Sequence, residues 1–507
     1  MGRRSLLAIL AFLFIGHMAI AQTPKRLQIG IEYAMPGLGK PFAELGAPVV
    51  KPYAEALMWG KMQPTKNAAI DFAFFDRIVH DYQDNGFEDL FISLCTRCLW
   101  GNKGLLNLTP KEEHWPAYEA WVRAVVERYN VESKNRMPGL KRSIRYWEVG
   151  TEFSSYQPEP TKDYLEMLRR THKLIKAANP KSVVLHAAFL TTTVFKDHPK
   201  PAQYAQAFAA APKPMKHKSL ADIRAVLDHP EWFDAVNFHA LGDPYEIEDN
   251  VAWLKWEMAQ RKYTRPIYIS DTTPTPFIGW GSATEPKSLF KGIVVPPATE
   301  ADRERLAPFF KKLIEKDKAT TDWTHSFVAS DMVQKCAISA EQGVALINTS
   351  FMEDLFLFKF NLPIVAGGTG ISAWAGMADV QPNAKTEERT LLGRRPSFYA
   401  VKQLQAHLKD YDSLQRVKDP NGKVRLYKWT QGKTPIWIAW LDPGKLLLPG
   451  DTMPKASISI KTGEGAFRIE PVIDQAGQTK AESTKMKGPA VTIEITPRPV
   501  YVIGLKD

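Results

Sequence analysis

The feature that most constrains the fold is an alternation of short apolar runs with longer amphipathic stretches, repeated from residue 27 to about residue 408. Runs of about four to eight apolar residues are typical of buried strands, while apolar residues three or four positions apart indicate helices lying on a sheet. Regular alternation of the two predicts parallel strands joined by crossover helices. Eight such units over about 380 residues predict a (β/α)8 TIM barrel with long inserted loops, since a compact barrel needs only about 250 residues.

The predicted barrel occupies residues 26–411. Its strands are predicted at 27–33, 49–59, 90–94, 144–149, 183–187, 233–239, 266–271 and 344–347. Helices are predicted at 72–82, 118–129, 161–178, 251–259 and 398–408, where apolar residues recur at helical spacing. The eighth strand and the closing helix have the weakest patterns.

The pattern changes at about Asp412, after which short strands follow one another with Gly, Pro and Asn turns and no helix between them. Strands are predicted at 424–429, 436–441, 456–460, 491–495 and 500–505. This pattern predicts a small C-terminal antiparallel β-sandwich over residues 412–507. We expect it to buttress the barrel, because it has no evident cluster of exposed aromatic residues.

The first 21 residues have the pattern of an export signal. Arg3 and Arg4 form a basic segment, residues 6–15 are almost all apolar, and Ala19-Ile20-Ala21 is a small-x-small cleavage site. The sequence therefore predicts a cleaved signal peptide at 1–21 and a secreted or periplasmic protein. The alternative is an uncleaved membrane anchor, although the apolar run is shorter than the roughly 20 residues of a membrane span.

The formal net charge is +11, or +9 without Arg3 and Arg4, and the basic residues are interleaved with acids. No basic stripe with aromatic residues is present, so a nucleic-acid partner is not predicted. The expected partner is a carbohydrate. The positive charge suits an anionic glycan, or it serves only solubility.

The sequence predicts no metal ion and no cofactor. Cys95 and Cys98 form a C-x-x-C without a second pair, which is too little for a zinc site. We expect all three cysteines to be small buried side chains, with a Cys95–Cys98 bridge as the alternative.

Groups able to do chemistry stand where predicted strands end. Strand four ends in Trp147-Glu148-Val149-Gly150-Thr151-Glu152, strand six ends at His239 and strand seven at Asp271. The carboxyl ends of barrel strands converge on the active sites of barrel enzymes. A carboxylic acid facing a carboxylate across the substrate is the equipment for cleaving an acetal.

The segment 147–152 resembles the W-E-x-x-N-E motif of the large clan of retaining glycoside hydrolases built on (β/α)8 barrels (clan A type). The β-xylosidase/α-iduronidase-like families of that clan are the most similar. Segments 238–240 and 266–271 resemble the clan's strand-six end and its P-I-x-x-T-E strand. Segments 374–379 and 395–400 resemble its barrel-closing G-L-x-D and K-P-A-Y-Y-A stretches. The resemblance implies a glycosidase that cleaves poly- or oligosaccharides.

By this resemblance Glu152 is the general acid/base and Asp271 is the nucleophile, or the general base of an inverting enzyme. His239 would hydrogen-bond the strand-seven carboxylate or a sugar hydroxyl, or be purely structural. We expect Glu148 to be tied into the barrel interior.

Three positions depart from the clan pattern. Thr151 replaces an Asn that holds the sugar 2-hydroxyl, and Asp271 replaces a Glu. The strand-two Arg is absent, with Lys51 the nearest basic residue. A shorter carboxylate side chain favours inversion, a compensating backbone shift or a loss of hydrolysis.

Four tryptophans in or near predicted loops are candidate platforms for sugar rings, whose C–H faces stack on aromatic side chains. They are Trp59, Trp100, Trp280 and Trp374. The long loop 272–296 is expected to shape the pocket.

Three functions remain open from sequence. The first is an active glycoside hydrolase, and the second a catalytically impaired barrel that binds carbohydrate without hydrolysing it. The third, a metal-dependent hydrolase using histidines and Asp271, has the least support because no compact ligand cluster is present.

Overall fold

The computed structural model describes residues 26–153, 157–212, 218–355, 367–412, 414–417, 422–463 and 465–505. The predicted signal peptide at 1–21 lies outside the described residues.

Eight parallel strands form the barrel. They are β1 (Gln28–Glu32), β2 (Val49–Lys51), β3 (Asp89–Leu94), β4 (Tyr146–Val149), β5 (Val183–His186), β6 (Val236–Ala240), β7 (Ile267–Thr272) and β8 (Leu346–Phe351). Each strand except β5 pairs with the next, and β1 pairs with β8. The sheet closes between β5 and β6 through a bridge from Leu185 to Ala235 and through Phe189–Leu190, which pairs with β6. The predicted TIM barrel is confirmed.

Helices surround the strands. The longer ones are α1 (Ala73–Asp84), α2 (Trp115–Arg128), α3 (Thr161–Ala178), α4 (Leu220–Leu227), α5 (Glu246–Gln260), α6 (Arg303–Ile314), α7 (Lys318–Gln342) and α8 (Pro396–Leu408). Shorter helices lie at Gly39–Ala43, Trp59–Met62 and Tyr204–Ala210. Short 3-10 turns lie at Ala54–Leu57, Glu112–His114, Pro201–Gln203, Pro230–Trp232, Glu300–Asp302 and Gly367–Trp374. Three two-stranded antiparallel ribbons lie in the loops. They pair Asn102–Gly104 with Asn107–Pro110, Ile278–Gly279 with Ile293–Val294, and Ala378–Pro382 with Arg389–Arg394.

The second strand is shorter than predicted. Only Val49–Lys51 is extended, and residues 54–62 form a 3-10 turn and a short helix. Apolar residues continue through Leu57 and Trp59, and both are buried. The apolar pattern of the sequence therefore predicted one long strand where the chain forms a strand and two helical turns.

The C-terminal strands are β9 (Gln415–Val417), β10 (Val424–Gln431), β11 (Thr434–Leu441), β12 (Ala456–Lys461), β13 (Ala466–Pro471), β14 (Thr484–Lys487), β15 (Ala490–Ile495) and β16 (Val500–Gly504). Six of them form an antiparallel sheet in the order β9-β10-β11-β16-β13-β14, and β12 pairs with β15. A core that includes Trp437, Phe467 and Ile493 fills the space between the two layers. The predicted antiparallel sandwich is confirmed.

Polar contacts attach the sandwich to three barrel helices. Trp440 Nε1 donates to the Tyr245 hydroxyl beside α5 at 3.2 Å, and Gln334 of α7 donates to the Pro497 carbonyl at 2.8 Å. Gln403 of α8 donates to the Pro471 carbonyl at 3.0 Å. The two parts therefore pack side by side along the barrel wall.

Candidate active site

A cavity of about 310 Å³ opens at the carboxyl end of the barrel, a volume at the lower end of the range for small-molecule sites. Its polar lining comes from the ends of β1, β2, β4 and β7: Glu32, Lys51, Thr151, Glu152 and Asp271. Its aromatic and apolar lining includes Tyr33, Tyr53, Leu241, Pro276, Trp280, Phe351 and Leu355. The structure thus brings Thr151, Glu152 and Asp271 into one site from distant parts of the chain.

A turn at Gly150 separates the two glutamates of strand four. Gly150 has φ +83°, a conformation that favours glycine, and a Cβ there would lie 2.4 Å from Gln157 Nε2. Because the chain turns after β4, Glu148 and Glu152 do not continue on one face of an extended strand. Glu148 stays inside the barrel, whereas Glu152 lines the cavity.

Glu148 is completely buried and held by neutral donors. Its Oε1 accepts from Asn237 Nδ2 at 2.9 Å and from the backbone N–H of Ala188 at 3.1 Å, and its Oε2 accepts from the Ser93 hydroxyl. The predicted structural role of Glu148 is confirmed by these contacts.

Glu152 contacts the histidine that ends β6. His239 Nδ1 lies 3.3 Å from Glu152 Oε1, and His239 Nε2 lies 3.1 Å from Ser270 Oγ. The imidazole is fully buried, whereas the Glu152 side chain is 17% exposed. His239 does not line the cavity and instead connects Glu152 to the strand that carries Asp271.

Asp271 lies one residue before the end of β7, at an irregularity in the sheet. The pairing of β7 with β6 shifts between Ile269 and Asp271. Asp271 Oδ1 is buried and has no hydrogen-bond partner among the described residues. A buried carboxylate oxygen without a partner is costly, so this atom is suited to a substrate, a water molecule or an ion.

Lys51 and Glu32 stand beside Asp271, and sequence reasoning did not include Glu32 in the site. Lys51 Nζ lies 3.1 Å from Glu32 Oε1 and donates to the Ser270 carbonyl at 2.7 Å. Burial and then the Asp271 charge raise the pKa of Glu32 well above its ordinary value. Burial alone would lower the pKa of Lys51, but the charges of Glu32 and Asp271 raise it by more than burial lowers it. The pKa therefore lies above its ordinary value, and the lysine is a cation.

Of the four predicted platform tryptophans, only Trp280 lines the cavity. Trp280 and Tyr33, which both line the cavity, have φ +59° and +58°, which costs backbone energy in residues other than glycine. The prediction for Trp59 is wrong: its side chain is fully buried, stacks near Trp121 and is covered by Trp100 at 4.9 Å.

Trp100 and Trp374 also lie outside the cavity lining. Trp100 donates its Nε1 hydrogen to the Gln63 carbonyl at 2.8 Å, and the Trp374 side chain is buried. A tryptophan that follows a strand can cover the hydrophobic core or line a binding site, and sequence spacing does not distinguish the two roles.

Within the ranges that the structure describes, no group of three or more His, Cys, Asp and Glu side chains is arranged to hold a metal ion. All three cysteines are buried and unpaired. In the described part of the chain, no helix is long and apolar enough to cross a membrane.

No protein-family model matches this sequence, and no curated protein matches it significantly. Solved structures do match the fold. A glucosidase from Croceicoccus marinus is 13% identical, with a TM-score of 0.54 over 96% of this chain and 96% of that one. A monomeric β-xylosidase from Caulobacter crescentus is 14% identical, with a TM-score of 0.52 over 95% and 96%.

An α-L-arabinofuranosidase from Thermotoga maritima, solved with arabinose, is 11% identical, with a TM-score of 0.51 over 95% of this chain and 97% of that one. These low identities show the fold alone, which here means a barrel with its C-terminal domain over nearly the whole length.

Proposed function

We propose that this protein is an exported glycoside hydrolase that cleaves O-glycosidic bonds with Glu152 and Asp271. The observation that carries the proposal is that both carboxyl groups, from the ends of β4 and β7, line one cavity at the carboxyl end of a TIM barrel. The fold is shared with a glucosidase, a β-xylosidase and an α-L-arabinofuranosidase, which makes glucosides and pentosides the first substrates to test.

In the proposed reaction, Glu152 gives its proton to the glycosidic oxygen as the bond to the anomeric carbon breaks. Asp271 then either bonds to that carbon, to be displaced by water that Glu152 deprotonates, or itself deprotonates the attacking water. Lys51, paired with Glu32 at 3.1 Å, places a positive charge near Asp271, where it would stabilise negative charge during the reaction. His239 orients Glu152 through the 3.3 Å contact.

The shifted pairing before Asp271 bears on the shorter side chain at this position. An aspartate withdraws the carboxylate by about one carbon–carbon bond, ~1.5 Å. A local change in strand register offers a way to restore the reach of that carboxylate. The anomeric configuration of the sugar that is released first distinguishes a retaining from an inverting reaction.

The lining favours a neutral glycan over an anionic one. Glu32, Glu55, Glu152 and Asp271 contribute carboxyl groups to the cavity, and Lys51 is the cation among its described lining residues. A uronic acid or sulfate would meet more negative than positive charge there. The overall positive charge of the chain then serves solubility.

The second candidate is a barrel that binds carbohydrate without hydrolysing it. Thr151 and Asp271, both shorter than the residues of the clan motif, favour it, because each lengthens the gap to a bound sugar. Under this proposal the cavity binds a sugar, and Glu152 and Asp271 act only as hydrogen-bond acceptors.

The test is hydrolysis of aryl glucosides, xylosides and arabinofuranosides and of the corresponding glycans by wild type, Glu152→Gln and Asp271→Asn. Both variants should lose at least about a hundredfold in kcat. Glu113→Gln, at a side chain 65% exposed, is the matched control and should keep full activity. If the wild type binds a sugar without hydrolysing it, the proposal of a glycoside hydrolase is refuted and that of a carbohydrate-binding barrel is supported.

Export is tested separately. We expect the mature chain isolated from the producing cell to begin near Gln22, as shown by N-terminal sequencing or intact mass. A full-length chain in the membrane fraction would support the anchor instead.

A further inference from the structure

A second cavity, of about 400 Å³, lies at the junction of the barrel and the sandwich. Its walls come from the loop after β7, from one face of α7 and from sandwich loops near residues 442–453 and 497–498. It is slightly larger than the cavity that holds Glu152 and Asp271. Its volume is typical of a site for a small molecule.

Aromatic side chains form one wall of this junction cavity. Trp323 and Phe327 follow one another at helical spacing on α7, with ring centroids 5.5 Å apart and planes 12° from parallel. Phe277, from the loop after β7, lies 4.9 Å from Phe327. Trp323 and Phe327 remain partly exposed although they are large and apolar, so a ligand in the cavity would cover surface that the fold leaves open.

A polar group without a partner lies on the same face of α7. Ser330 is 7% exposed, and its Oγ has no hydrogen-bond partner among the described residues. The half-buried carboxylates of Asp243 and Asp442 also line the cavity. An aromatic surface beside a hydroxyl and carboxylates fits a molecule with one C–H face and several hydroxyl groups.

One segment of the chain separates the two cavities. Thr273, Pro276 and Gly279 line the cavity of Glu152, whereas Thr275 and Phe277 line the junction cavity. This wall is attached to α7, where Asp331 accepts from the Thr275 hydroxyl at 2.7 Å and Lys335 donates to the Thr273 carbonyl at 2.5 Å.

We infer that the junction cavity is a second, non-catalytic binding site for a neutral sugar residue, which stacks on Trp323 and Phe327 and hydrogen-bonds Ser330. The inference rests on the proposed function, because it takes the ligand to be of the same chemical class as the substrate. A site that shares a wall with the catalytic cavity holds a second part of the glycan close to the reacting part.

The experiment counts sugar sites by calorimetric titration of xylohexaose and cellohexaose into the full chain carrying Glu152→Gln, which prevents turnover. We expect two sites per chain with at least one of these probes. Adding Trp323→Ala or Ser330→Ala should weaken one site at least tenfold and leave the other unchanged. Trp232→Ala, at a partly buried tryptophan that stacks on His229 and lines neither cavity, should retain both sites.

Ser330→Ala keeps the test valid if Trp323→Ala fails to fold, because removing a hydroxyl without a partner costs little stability. One site in every variant, or two sites that both survive Trp323→Ala and Ser330→Ala, would overturn the inference. Saturable binding of 1-anilinonaphthalene-8-sulfonate that Trp323→Ala abolishes and neither hexasaccharide displaces would overturn it in favour of a purely apolar ligand.

The two proposals fail in different ways. Hydrolysis by wild type with a single binding site refutes the junction site alone. Two binding sites without hydrolysis refute the catalytic proposal and leave the junction site in place.

Discussion

At the scale of single residues, Trp59 and Trp280 show that the same type of side chain occupies two different environments. Trp59 is fully buried among Trp100, Tyr118 and Trp121, whereas Trp280 is half-buried in the lining of the cavity that holds Glu152 and Asp271. We expect stability to depend on Trp59 and, under the proposed function, sugar binding to depend on Trp280.

We predict that Trp59→Ala lowers the free energy of unfolding by about 3–5 kcal/mol, the usual cost of truncating a buried tryptophan. Trp280→Ala should instead raise KM by up to about tenfold, since a lost aromatic contact is worth about 1 kcal/mol. Denaturant unfolding and steady-state kinetics on both variants measure the difference. The assignment of Trp280 to the site is refuted if its KM is unchanged while its stability falls like that of Trp59→Ala.

Glu159 gives the protein a dependence of stability on pH. It is completely buried, and burial raises its pKa to about 7, with the Lys218 charge opposing part of the rise. Between pH 4.5 and 7 the folded state holds a proton that the unfolded chain has lost, so this residue makes the fold less stable as pH rises.

The Glu159→Gln variant should lack this dependence. Its free energy of unfolding should exceed that of wild type increasingly from pH 4.5 to 7, by up to about 1.4 kcal/mol per pH unit. Urea unfolding at pH 4.5, 5.5, 6.5 and 7.5 measures it, with the exposed Glu113→Gln as the control. Parallel curves for wild type and Glu159→Gln would refute the prediction.

The sequence located part of the candidate site and missed part. Thr151, Glu152 and Asp271 were found because each belongs to a local motif at a strand end. Glu32 was missed because its role depends on Asp271, on a strand 239 positions later in the numbering, which only closure of the barrel brings near. A polar residue that ends an otherwise apolar strand was the available signal.

At the scale of elements, the turn after β4 decides where the acid/base candidate points. Gly150 and Gly86 both have left-handed φ values, +83° and +93°. An added Cβ at Gly150 meets the Gln157 side chain, whereas at Gly86 nothing lies within 4 Å. Alanine substitutions at Gly150 and Gly86 therefore distinguish the effect of backbone strain, which both share, from that of steric crowding, which only Gly150 has.

We predict that Gly150→Ala and Gly86→Ala each lose about 1–2 kcal/mol of stability from backbone strain. Gly150→Ala should in addition reduce kcat at least tenfold, because the displaced turn carries Glu152. Thermal unfolding and kinetics on both variants test this. Equal activity in the two variants would show that the turn does not position Glu152.

Most strands were predicted from sequence, whereas the helices α4, α6 and α7 were not, and α7 is the longest of these. The strands have continuous apolar runs, which mark them clearly. Helix α7, which begins after the Asp317 cap and ends at Gly343, is buried on several faces between the barrel and the sandwich. A helix buried on several faces shows little amphipathic period, so α7 lacks the pattern that predicted helices such as α1 and α3.

At the scale of the whole molecule, one hydrophobic cluster extends from the barrel into the sandwich, beside the core between the layers of the sandwich. Trp429, Trp440 and Tyr501 of the sandwich belong to the same buried cluster as the barrel helices. The sandwich therefore covers apolar surface that the barrel does not bury by itself.

We predict that a chain of residues 22–411 is insoluble or aggregates on expression, because removing the sandwich exposes this surface. Size-exclusion chromatography beside the full mature chain measures it. A monomeric, cooperatively unfolding fragment would show that the barrel is stable alone and that the shared core is dispensable.

The pairing of β1 with β8 has a consequence for the time at which the protein acquires its shape. Gln28 pairs with Leu346, more than 300 residues later, so the ribosome has released most of the chain before the first strand can find its partner. Until then the barrel cannot close, and the nascent chain has not reached its final folded shape. Under the proposed export, late closure would keep the chain compatible with a narrow translocation channel.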